Sequence, residues 1–192
     1  MNNQVLPMFP LPDFFLFPSA VVPLHIFEER YRQMVNDLLD TAGRLVIVSI
    51  PKRLTGHGVD APPVFPYGGL AEIIHHERFE DGRFLILLMG LCRVRIEEVP
   101  QNKLYRAVRV ELVESIACDE DEARRLRPLL EAAISDRTMQ KMELSRKLPI
   151  DTLADILLQS LKLAPAQLEE VFAEQDERIR AESALAWHAI GS

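Results

Sequence analysis

Five histidines and two cysteines are the residues of this 192-residue chain best suited to metal or nucleophilic chemistry, and their spacing supports neither. His75-His76-Glu77 has the composition of a ligand cluster. On a strand, however, neighbouring side chains point to opposite faces, so only His75 and Glu77 share one, and no third ligand is in view. Cys92 and Cys118 make no CxxC pair and no zinc framework. Cys92 alternates with Val94 and Ile96, which predicts a buried thiol. His25, between Leu24 and Ile26, reads as a structural histidine bonded to backbone. His57, between two glycines, reads as a surface residue. No Gly-Lys pair exists, so there is no Walker A phosphate loop, and GxSxG, HExxH and GxGxxG are absent too. No catalytic, metal or cofactor-binding residue is assigned, and neither ATPase nor peptidase activity is expected.

The residues that remain are aromatic and apolar. Phe14-Phe15-Leu16-Phe17 is the densest cluster, in a stretch from Val5 to Phe27 that is apolar almost throughout. Strand alternation would send Phe14 and Leu16 one way and Phe15 and Phe17 the other, leaving one pair for a partner. The stretch is long enough for a membrane helix, but Pro7, Pro10, Pro12, Pro18 and Pro23 exclude one, since each removes a backbone donor. Met1-Asn2-Asn3-Gln4 lacks the basic start of a signal peptide. Extended, kinked, buried chain leading into a helix is the remaining reading. Two thiols without a secretory signal suggest a reducing cytoplasm.

Composition describes a globular protein able to bury one large core or two modest ones, with 48% hydrophobic residues. The net charge of -7 repels phosphate, and no basic run offsets it. Arg93, Arg95, Arg106 and Arg109 come nearest, so nucleic acid is not an expected partner. Nine of the 13 prolines precede residue 67, and all but one of the nine phenylalanines precede residue 85, whereas the back third is rich in Ala, Leu, Glu and Arg. That shift predicts a β-rich unit over 1–116, interrupted by one helix at about 27–40, and a helical unit over 117–192.

Phe27, Tyr31, Met34, Val35 and Leu38 fall on one face of the first helix, with Glu28 and Arg32 able to pair on the other and Gly43 as its stop. Strands are predicted over 44–50, 70–79, 84–99 and 104–113. Asp81-Gly82 turns the hairpin between the second and third, and Gly90 marks a bulge or bend. The Gly- and Pro-rich segment 52–69 reads as a surface loop and as the first place trypsin cuts. Asp119 or Asp121 caps a helix to about Ile134. Further helices are predicted over 138–147, from Pro149-Ile150-Asp151 and from Pro165, the last continuing over 176–190 after a kink.

The chain resembles the N-terminal domain of Lon proteases. The residues that carry the likeness are Leu6-Pro7-Met8-Phe9-Pro10-Leu11, Phe17-Pro18-Ser19 and Pro23 to Tyr31, then Gly69 to Ile73, Asp81-Gly82-Arg83, Gly90 to Ile96, Leu153 to Leu157 and Gln167-Leu168-Glu169. Ser19 stands where that family usually has Gly, and Glu29 where it has Pro. The resemblance implies an α+β fold, a PUA-like β-barrel followed by a helical bundle. It also implies a stand-alone, non-enzymatic module that binds unfolded or partner polypeptides, as an adaptor or regulator in protein quality control, since the ATPase and Ser-Lys protease domains of Lon lie beyond such a region. RNA binding is the alternative, suggested by the PUA-like fold alone. Phe15, Phe17, Tyr31, Phe65 and Tyr67 are the candidate partner-binding residues, expected in an apolar groove between barrel and helices.

Overall fold

The computed structural model describes residues 3–51, 62–138 and 148–191. The chain forms two compact units, Met1–Val113 and Glu114–Ser192. The expected helix over 138–147, His57 and the trypsin sites of the 52–69 loop lie outside the described residues.

The first unit holds β1 (Gln4–Pro12), β2 (Val21–Ile26), α1 (Glu29–Leu39), β3 (Arg44–Ile50), β4 (Tyr67–Arg78), β5 (Phe84–Val99) and β6 (Ala107–Leu112). The sheet order is β2-β5-β4-β3-β1-β6, and β6 also pairs with the second half of β5. Five strands thereby make an unevenly closed, barrel-like ring, and β2 adds to the first half of β5. β1 explains how a strand tolerates prolines. Residues 4–7 pair with β6 and residues 8–12 with β3, so each half has a neighbour on one side only, where a missing N–H is least costly.

Two apolar clusters fill this unit. One joins Phe9, Leu16, Tyr31, Met34, Phe84, Ile86 and Leu88; the other joins Leu6, Met8, Val46, Val48, Leu70, Val94 and Val108. α1 buries Tyr31, Met34, Val35 and Leu38, as its spacing predicts. Phe27 is a correction: Glu28 is the N-cap, Phe27 lies before the helix, and its ring is 63% exposed. Glu28 accordingly pairs with Arg30 at 2.7 Å rather than with Arg32, because the helical four-residue spacing does not reach it. Gly43 has φ +65° just past the helix, and Gly82 has φ +82° in the hairpin, with its N–H donating to the Phe79 carbonyl.

The bulge near Gly90 falls on Leu91, since Ala71 opposes Gly90 and Leu70 opposes Cys92. Gly90 itself serves a close approach. A Cβ there would lie 2.2 Å from the Phe17 carbonyl oxygen, and one on Gly69 would lie 2.3 Å from that of Leu16. The segment Phe14–Ser19 therefore lies as a strap directly across β4 and β5. Asp13 (φ +47°) and Ser19 (φ +63°) turn the chain into and out of it.

The second unit holds α2 (Glu120–Thr138), α3 (Ile150–Ser160), α4 (Pro165–Ala173) and α5 (Glu177–Ile190). The Asp119 carboxylate accepts from the Glu122 N–H and starts α2. Asp176 accepts from the N–H groups of Arg178 and Ile179 and starts α5, so the chain breaks between α4 and α5 instead of running on. Leu153, Leu157, Leu158, Val171, Phe172, Ala181 and Ala184 are buried. Among them lies an ion pair that hydrophobic periodicity does not reveal. Arg180 Nε sits 3.1 Å from Asp155 Oδ1, with side chains 1% and 2% exposed, and Arg180 Nη1 donates to the Glu174 carbonyl.

Candidate functional site

Of the five candidate partner-binding residues, the structure brings three together. The Phe15 and Phe65 rings meet edge-on at 5.7 Å, and Phe65 and Tyr67 are tilted at 5.6 Å. All three are half-buried. Phe15 comes from the strap; Tyr67 opens β4; the Phe65 N–H donates to the Ser49 carbonyl at 3.0 Å. Gly68 lets this corner close, since a Cβ there would lie 2.6 Å from a Val46 methyl. The result is a surface of contacting aromatic rings, one with a phenolic tip.

The other two are core residues. Phe17 is 2% exposed, and so is its neighbour Leu16 at 1%, while Phe14 and Phe15 are half-buried. The expected alternation fails because Phe14–Phe17 do not form a strand, so their side chains are not bound to a two-residue period. Tyr31 is 5% exposed, packed on Phe9 at 4.2 Å with the Arg30 guanidinium 4.6 Å above its ring. Burial pushes the Tyr31 hydroxyl pKa up. Neither residue presents a surface.

The titratable residues offer little chemistry. His75 and His76 point to opposite faces, opposite Leu87 and Ile86 respectively. Among the described residues, no group of three His, Cys, Asp or Glu could hold a metal. His25 is exposed and meets the Phe79 ring edge-on at 5.7 Å. Cys92 is half-buried, not fully buried as its alternation suggests, and desolvation raises its pKa, which disfavours the nucleophilic thiolate. A depression of about 310 Å³ lies over β5 and β6. Its charges compensate one another: Arg95 stands opposite Glu111, and Arg109 binds Glu97 at 2.9 Å. Arg106 is held by Glu98 at 2.6 Å, and Arg93 is 4% exposed, so these four arginines make no basic stripe.

Sequence reasoning overlooked a second apolar surface. The first half of β5, Phe84-Leu85-Ile86-Leu87-Leu88-Met89, is apolar at every position. Phe84, Ile86 and Leu88 are fully buried, while Leu85, Leu87 and Met89 on the other face are only half-buried. The signal was present in the sequence: an uninterrupted apolar strand implies cover on both faces.

The match to known proteins covers residues of both units. Residues 5–187 match the sequence profile of the family described as the ATP-dependent protease La (LON) substrate-binding domain. The chain belongs to this family. Similar proteins include the Lon protease of Escherichia coli K12, 27% identical over 154 residues, 79% of this chain and 19% of that protein. Lon protease 2 of Sorangium cellulosum is 28% identical over 201 residues, 94% of this chain and 24% of that protein. The chain thus spans less than a quarter of the length of these relatives. The fold agrees with a solved structure titled as the N terminal domain of Mycobacterium avium complex Lon protease, at TM-score 0.73 and 19% identity, covering 97% of this chain and 98% of that one. A Lon N-terminal domain protein from Xanthomonas campestris matches at TM-score 0.70 and 22% identity, over 96% and 98%. The family profile covers a substrate-binding domain and no catalytic one.

Proposed function

We propose that this protein is a non-enzymatic polypeptide-binding module that receives exposed apolar side chains of unfolded or partner proteins. It acts in the cytoplasm as an adaptor or regulator of proteolysis. The observation that carries this reading is the half-buried cluster of Phe15, Phe65 and Tyr67, whose rings pack on one another at one corner of the barrel. Aromatic rings held at a fixed place bind at low entropic cost. Membership of a substrate-binding family supports the same class of partner. Burying one such ring contributes roughly 1.5–3 kcal/mol, so a few suffice for micromolar affinity after ordering costs.

The test is binding of unfolded model proteins by wild type and by Phe15→Ala, Phe65→Ala and Tyr67→Ala variants that stay folded by circular dichroism. Each is expected to weaken binding about tenfold. Wild type that binds nothing unfolded, or folded variants that all bind as wild type does, would defeat the proposal.

A further inference from the structure

We infer that the outer face formed by β2, the first half of β5 and β4 from Glu72 onward is a second docking surface. It takes extended polypeptide segments with an apolar residue at every second position and a basic residue beside them. The inference rests on the polypeptide-binding reading above but uses none of its three rings.

Register places the residues of this face in three rows across the strands: Val21, Met89 and Glu72; Pro23, Leu87 and His75; His25, Leu85 and Glu77. The central column is apolar and half-buried; Val21 is 52% exposed, and Pro23, His25, His75 and Glu77 are exposed. The buried counterparts Ile26, Phe84, Ile86 and Leu88 hold the opposite face in the core, so this ladder is fixed in place.

The free edge of β2 is closed to strand addition. The Gly90 N–H donates to the Ala20 carbonyl, which sets the phase of the β2–β5 ladder. Ala20, Val22, Leu24 and Ile26 then bond inward, and Val21, Pro23 and His25 turn their backbone groups outward. Pro23 has no N–H to offer, so a partner strand meets a gap in mid-edge. The face remains. Leu85, Leu87 and Met89 repeat at about 6.8 Å, the two-residue repeat of an extended chain, whereas a helical face repeats at about 5.4 Å and falls out of step. A second copy of this chain is too large an occupant. Three strands by five residues offer roughly 14 Å by 17 Å, on the order of 240 Å². A stable dimer buries about 800 Å² per partner. Charge selects further. Glu72 is held by Arg44 at 3.0 Å, whereas Glu77 has no ion-pair partner among the described residues, in a chain of net charge -7. A Lys or Arg beside the apolar repeat meets it.

Two labelled peptides of identical composition test this, one with Leu at alternate positions followed by Lys, the other with Leu at helical spacing. Anisotropy titrations use the full chain. The alternating peptide is expected to bind at least about tenfold tighter, Leu87→Thr to weaken it about tenfold, and Glu77→Gln to weaken it about threefold and flatten its salt dependence. Should Leu87→Thr lose its fold by circular dichroism, the exposed Val21→Thr replaces it, with about a threefold loss expected. Equal binding of the two peptides, no binding, or an unaffected folded variant overturns the inference. So does a wild-type dimer in sedimentation that the variant dissolves. If unfolded proteins still bind through Phe15, Phe65 and Tyr67 in those cases, the earlier reading stands and only this surface falls.

Discussion

At Ser19 the backbone has φ +63°, the left-handed region that favours glycine. A side chain in that conformation costs about 1–2 kcal/mol, and glycine's extra freedom in the unfolded chain returns part of the gain. Ser19→Gly is therefore expected to stabilise the protein by about 0.5–1 kcal/mol, measured by urea denaturation. An unchanged or lower midpoint would show that the Ser19 side chain contributes more than its backbone strain costs. Gly90→Ala has the opposite sign, because the added Cβ would meet the Phe17 carbonyl oxygen at 2.2 Å and the strap must move. Neither residue's role was visible in isolation. Gly90 reads as a bend in its own strand; the strap that needs the space comes from some seventy residues earlier.

Elements are joined by polar links that hydrophobic periodicity does not see. α1 is tied to the chain ahead of β6 by Asp37, which accepts from Tyr105 Oη at 2.9 Å and from Lys103 Nζ at 2.8 Å. Desolvation, reinforced by the Asp37 carboxylate, pushes the Tyr105 hydroxyl to about 12 from 10.0. A raised folded pKa means the folded state holds this proton longer. Its stabilisation is complete below pH 10 and is lost as pH rises from about 10 towards 12. Tyr105→Phe should flatten that alkaline limb in denaturation midpoints taken across the range; an identical limb in both proteins would rule Tyr105 out as its source. In the helical unit, the Asp155–Arg180 pair links α3 to α5 at 3.1 Å. Asp155→Asn strands a buried cation and is expected to cost about 3–5 kcal/mol, whereas Asp155→Leu with Arg180→Met is expected to restore most of it. Calorimetry of the single and double variants decides this. A mild single variant would mean that water reaches the pair.

For the whole molecule, charge and missing motifs set the expectations. The net charge of -7 and the paired arginines predict no retention on single-stranded RNA at physiological salt; salt-sensitive, saturable binding would reopen the RNA alternative. Purified protein is expected neither to hydrolyse ATP nor to degrade casein, since these residues carry no phosphate loop. ATP-dependent casein loss, after contaminants are excluded, would contradict it.

The sequence by itself determined the α+β class, the family, and most elements, because period-two and helical repeats, Asp-Gly turns and prolines at helix starts act over a few residues. It also made Phe15, Phe65 and Tyr67 candidates through their ring chemistry. Only the tertiary structure decided that Phe17 and Tyr31 belong to the core, that the Phe14–Ser19 strap crosses Gly69 and Gly90, and that Val21, Pro23, Leu85, Leu87 and Met89 share an outer face. Those outcomes depend on which distant strands pair and in what register. A local pattern shows that a strand has two faces; the partner strand decides which of them meets water.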